Sequence, residues 1–120
     1  MSEDHQNARL ERYFYRFGSV DSDFIGQLKD LIPKAQLDIT PNKRKAGTFV
    51  VSVLLDATAV TDPEPIAALI ERSSISESAR GLYISLVTER DNDGIRVPEP
   101  ILVFYFCCRG QIDFSFVSGV

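Results

Sequence analysis

Eight consecutive apolar residues, Ile101-Leu102-Val103-Phe104-Tyr105-Phe106-Cys107-Cys108, follow Glu99-Pro100 near the end of the chain, and no other stretch is so apolar. A membrane span needs about 20 such residues, so this run has to find a protein core. Beyond Arg109-Gly110, Ile112, Phe114 and Phe116 alternate with Gln111, Asp113 and Ser115 at the period of a half-buried strand. Together the two stretches predict a C-terminal β-hairpin turning through Cys108-Arg109-Gly110, its first strand interior and its second an edge or one-sided strand. A loop of that length pairs Phe106 with Ile112, Phe104 with Phe114 and Leu102 with Phe116. It puts Ile101, Val103 and Tyr105 on the other face with Asp113 and Ser115. Those five residues are the expected interaction surface.

A chain of 120 residues suits one domain with one sizeable core, expected over residues 10–120 behind a flexible tail at 1–9. Hydrophobic residues make up 44% and charged residues 25%, the balance of a globular protein rather than a disordered or membrane-resident one. Met1 to Asn7 is polar and acidic with no apolar signal-peptide core, so a cytoplasmic location is expected. A net charge of −4 disfavours a general binder of nucleic acids or acidic membranes.

Leu10 to Gly18 reads as a first strand, with Tyr13, Tyr15 and Phe17 on one face and Arg12, Phe14 and Arg16 on the other. Asp21-Ser22-Asp23 offers N-cap side chains to an amphipathic helix carrying Phe24, Ile25, Leu28, Leu31 and Ile32, which Pro33 stops. Ala35 to Thr40 and Thr48 to Leu55 form a hairpin around the basic loop Lys43-Arg44-Lys45. Thr61-Asp62-Pro63-Glu64-Pro65 is a dense helix start, followed by the stripe Ile66, Leu69 and Ile70 and by fraying near Ser73-Ser74. Gly81 to Glu89 is a further strand, alternating Leu82, Ile84 and Leu86 with Tyr83, Ser85 and Val87. The expected fold is α+β, with two helices on one face of a mainly antiparallel sheet of five or six strands. Its order is β-α-β-β-α-β-β-β, a ferredoxin-like split β-α-β arrangement extended by the C-terminal hairpin. The expected core is Phe17, Ile25, Leu28, Ile32, Phe49, Val51, Val53, Ile66, Leu69, Ile70, Ile84, Leu86 and Phe104.

Chemistry-bearing patterns are few. Counting from Glu89, the cluster Glu89, Asp91, Asp93 and Gly94 puts glycine at the sixth position of a calcium loop, but Pro100 stands where the bidentate glutamate is required; a solvated turn explains it better. Lys45 to Ser52 echoes an RNA-stacking strand at Phe49 alone. His5 is the only histidine and lies in the tail, so neither a histidine-dependent triad nor a histidine metal cluster can be built. Adjacent on a strand, Cys107 and Cys108 would point to opposite faces and are expected to be reduced packing residues. Asp56, Asp62, Glu64, Glu71 and Glu77 show no spacing that singles out an acid pair. The sequence thus indicates no catalytic residue, metal or cofactor.

Tyr13-Phe14-Tyr15-Arg16-Phe17-Gly18, then Asp21, a helix ending at Leu28 to Pro33 and a strand, resembles an uncharacterised bacterial domain family of unknown function, some members of which are thought to be immunity-like proteins beside toxins. The resemblance covers about the first 40 residues and departs after Pro41, where the basic loop replaces the family's Thr-Arg-containing segment. It implies a small bacterial binding protein and no catalytic residue. The reading favoured is a non-catalytic interaction module, with a protein partner or a second copy covering an apolar sheet face or edge. The alternative is a small-ligand-binding or enzymatic domain with a tyrosine-lined pocket between hairpin and helices.

Overall fold

A computed structural model describes residues 9–56, 61–88 and 95–117. The first strand, β1 (Arg9–Val20), turns through Asp21 into α1 (Ser22–Lys29). The Asp21 carboxylate accepts from the Phe24 amide at 2.9 Å, the N-cap its position implied. Strands β2 (Leu37–Pro41) and β3 (Phe49–Leu55) form a hairpin; α2 (Glu64–Arg72) and β4 (Arg80–Thr88) follow. The Asp62 carboxylate caps α2 by accepting from the Glu64 amide at 3.1 Å. The chain closes with α3 (Glu99–Cys108) and β5 (Gln111–Val117).

One five-stranded sheet results, in the order β2-β3-β1-β4-β5. Its first four strands pair antiparallel, with β1 at the centre. The elements over residues 9–88 occur in the expected β-α-β-β-α-β order. The C-terminal hairpin does not form: Ile101 to Cys108 is a helix, so the described residues hold three α-helices rather than two, and β5 pairs with β4 in parallel. An apolar run of this length satisfies an interior strand and a buried helix equally, and its neighbours decide between them. Here Pro98, extended at the cap, and Pro100 in the first turn favour helix. The same Pro-Glu-Pro-Ile stretch opens α2 at Pro63 and α3 at Pro98, a repetition that marks both starts. Parallel neighbours also need a crossover, which α3 supplies.

The core lies between one sheet face and the three helices. Tyr13, Tyr15, Phe17, Val51, Val53, Leu82, Ile84 and Leu86 point into it from the sheet; Phe24, Leu28, Ile66, Leu69, Ile101 and Phe104 meet them. The Tyr15 ring sits 5.3 Å from Phe17 and 5.4 Å from Phe104, and Phe17 lies 4.9 Å from Phe24, the edge and tilted geometries aromatic pairs favour. Phe49, expected in the core, is half-buried. On the other face, the Arg16 guanidinium lies 3.8 Å from the Tyr83 ring centre and shields that side of the sheet in part. Residues 1–8, including His5, and the Glu89 to Gly94 cluster lie outside the described residues. Among the described residues no helix is long and apolar enough to cross a membrane.

Candidate interaction surface

Strand β5 ends the sheet on one side, and how it is held there explains what it exposes. Gly81 on β4 and Gly110 before β5 let the two backbones approach. A Cβ at residue 81 would stand 2.8 Å from the Gln111 carbonyl carbon, and one at residue 110 would stand 2.5 Å from the Arg80 carbonyl oxygen. The α3–β5 corner is clamped by side chains from three elements. Cys108 O accepts from the Tyr15 hydroxyl at 3.2 Å and from Arg80 Nε at 2.9 Å, while the Tyr105 hydroxyl donates to Gly110 O at 2.9 Å. Tyr15 also donates to Arg109 O. Arg80 places a cation where α3 leaves its last carbonyls, the end of a helix that attracts positive charge. Burial raises the Tyr15 phenol well above its ordinary range and so keeps it a donor.

Within this clamp Arg109 adopts φ 62° and ψ −159°, a region that is almost glycine-only. The hydrogen bonds around it over-determine the corner and hold the strain. The consequence is an edge strand fixed in place with its side chains uncovered. Ile112 is 55% exposed, Phe114 51% and Phe116 37%. All three lie on the helix side of the sheet, opposite Leu82, Ile84 and Leu86 in register, and the Phe114 and Phe116 rings stack at 6.4 Å.

Helix α3 covers the neighbouring strands, resting on β4 and bringing Phe104 onto Tyr15 of β1. Ile101, Phe104 and Cys108 are its buried face. At 100° per residue, Cys107 falls on the flank turned to α2, since it lines the cleft between the two helices. Leu102 and Tyr105 fall on the flank turned away from α2, and Leu102 is exposed there; Phe106, roughly 170° from the centre of the buried face, points outward from the helix and is 58% exposed. The uncovered side of β5 and this flank of α3 together make an apolar step at one edge of the molecule, larger than scattered surface residues would produce.

The five residues expected to form one surface are not brought together. Ile101 is buried, Val103 is exposed on α3, and Tyr105 is half-buried with its hydroxyl on Gly110 O. Asp113 and Ser115 lie on β5, on the sheet face away from the helices. The sequence did not single out Ile112, Phe114 and Phe116 as a surface, because the expected hairpin set them opposite Phe106, Phe104 and Leu102, on the face away from the expected contact. The signal was available in Pro98-Glu99-Pro100, which turns that partner strand into a helix.

An open cleft of about 720 Å³ lies between α2 and α3, lined by Glu64, Ala67, Glu71, Ser74, Arg80, Cys107 and Arg109 among others, and by no tyrosine. Burial pushes the Cys108 thiol up to about 12, the opposite of what a nucleophilic cysteine needs. Among the described residues no group of three His, Cys, Asp or Glu side chains could hold a metal ion. The chain matches no family model, and no curated protein or solved structure matches it.

Proposed function

We propose that this chain is a non-catalytic protein-interaction module that works through the β5 edge and the adjoining flank of α3. The observation that carries the reading is the apolar side of β5: three large residues, Ile112, Phe114 and Phe116, exposed on the strand that ends the sheet among the described residues. An unpaired strand edge offers amide and carbonyl groups in register, and alternate side chains then select what pairs with them. An immunity-like role, which the opening strand and capped helix suggest through their resemblance, is a narrower form of the same proposal. A photo-crosslinking phenylalanine analogue at position 114 is expected to trap a polypeptide, whereas the analogue at Leu54, exposed on the opposite sheet face, is not. Equal trapping at both positions, or none at 114, would overturn the reading.

One observation favours a second reading, a small-ligand site in the α2–α3 cleft. Ser74 and Arg109 are the non-glycine residues with positive φ among those described, and both line that cleft. Such strain collects at functional sites. Ser74 has a local explanation, since it follows the α2 C-cap in the left-handed conformation that ends many helices. That leaves Arg109, whose strain the clamp on β5 also explains, and the interaction reading therefore stands first.

A further inference from the structure

We infer that the occupant of the β5 edge is a second copy of this chain, paired antiparallel along β5 about a two-fold axis through Phe114; this rests on the reading of that edge as an interaction surface. The two edges of the sheet are treated differently. Strand β2 carries Asp38 and Pro41 and runs into Lys43-Arg44-Lys45, the usual devices that stop an edge from pairing. Strand β5 has no lysine, arginine or proline between Gln111 and Val117, and its one charge, Asp113, points away from the helices.

A strand pairs with itself about a two-fold axis only where it is self-complementary. With the axis at Phe114, the centre of the strand, Phe114 meets its own copy, Ile112 faces Phe116 of the second copy, and Asp113 faces Ser115 of the second copy. Directly opposed residues share a face, so the apolar trio continues into the second trio as one row. Each carboxylate meets a hydroxyl. An axis at Asp113 would instead set two carboxylates against each other.

The dimensions close as well. Strands stand about 4.8 Å apart, so the two β4 strands of such a dimer lie about 14 Å from each other. The α3 helices above them, each about 10–12 Å across with side chains, then approach over the aromatic row and bring Leu102 of both copies to its flank. Given the exposures of Ile112, Phe114, Phe116 and Leu102, and side-chain areas on the 150–250 Å² scale of aromatic residues, each copy contributes roughly 400 Å² of apolar surface. With strand backbone added, this approaches the lower end of stable interfaces, about 600 Å² per partner.

Sedimentation velocity of the full chain between about 1 and 100 μM tests the inference. The expected species is a dimer of the 13.4 kDa chain. Phe114→Lys puts two cations on the axis and is expected to give a monomer with an unchanged circular dichroism spectrum. Ser115→Asp opposes Asp113 and is expected to weaken the dimer about fivefold or more, and Asp113→Lys added to it is expected to restore it. A chain that stays monomeric throughout, or a dimer indifferent to Ser115→Asp, would overturn the inference. A monomer whose position 114 still crosslinks to a different polypeptide would overturn the second copy alone and keep the interaction surface; a monomer that crosslinks to nothing removes both.

Discussion

The hydroxyl of Tyr15, in the middle of the central strand, lies 3.2 Å from the carbonyl oxygen of Cys108, 93 residues further along the chain. It ties the sheet to the end of α3, and through Arg109 O and the neighbouring Gly110 it sets where β5 begins. Tyr15→Phe keeps the ring among Phe17 and Phe104 and removes only the donor. Cys108 O keeps Arg80 Nε, so the expected cost is about 0.5–1.5 kcal/mol, the usual net contribution of a hydrogen bond. Faster amide exchange over residues 111–117 should accompany it. Urea unfolding together with hydrogen exchange checks both, and an unchanged β5 would show that Arg80 alone holds the corner.

Arg109 gives a prediction of opposite sign. Its backbone lies where glycine is at ease and arginine is strained by about 1–3 kcal/mol. Arg109→Gly relieves that strain and gives up some unfolded-state restriction. A net gain of about 1 kcal/mol in urea unfolding is expected. A loss instead would mean that the guanidinium, 6.0 Å from the Phe106 ring centre, contributes more than the strain costs.

Gly81 should tolerate no side chain. A Cβ there falls on the Gln111 backbone, so Gly81→Ala must push β5 from β4. We expect loss of amide protection at Ile112, Phe114 and Phe116, with β1, β3 and the helices still protected. Native-state hydrogen exchange reads this directly, and full protection of β5 in the variant would contradict the close approach.

Leu28, fully buried on α1, provides the measure of the core. Leu28→Ala is expected to cost about 2–5 kcal/mol, whereas changing Lys43, Arg44 and Lys45 together to alanine should alter stability by less than about 0.5 kcal/mol, as exposed sites usually do. Salt-sensitive RNA or DNA binding that the triple variant lost would contradict the reading of that loop as a charged hairpin tip.

Stability should fall in alkali. Burial raises the Cys108 thiol from its ordinary 9.0 to about 12. The folded state therefore keeps a proton that the unfolded chain releases, a contribution fully present below pH 9 and lost as pH rises towards 12. Above pH 10, Tyr13 and Tyr15 add to the same trend, since burial raises both. Cys108→Ala should flatten the decline between pH 9 and 10 by up to about 1.4 kcal/mol per pH unit. Parallel curves for variant and wild type in urea titrations would contradict this.

Much of this fold was legible in the sequence because its signals are local. The Asp21 and Asp62 caps, the stop at Pro33, and the alternation of Tyr13, Tyr15 and Phe17 with Arg12, Phe14 and Arg16 each depend on a few neighbouring residues. Such patterns specify where a helix starts and which face of a strand is buried. They therefore determined the β-α-β-β-α-β order and nearly all of the expected core. The stretch Ile101 to Cys108 carries no such face, since every position is apolar; strand and helix both bury it. Pro98 and Pro100 just before it are the one local signal for helix; tertiary structure adds the rest, because β4 and β1 needed cover where Tyr15 and Leu82 stand, and a helix presenting Ile101, Phe104 and Cys108 supplies it. Once that run is a helix, β5 has no hairpin partner and must pair with β4 through Gly81. Ile112, Phe114 and Phe116, expected opposite Phe106, Phe104 and Leu102 of a hairpin partner, then stand on an exposed edge. Their alternation was a property of the sequence, but what lies against them depends on contacts between segments far apart in the chain.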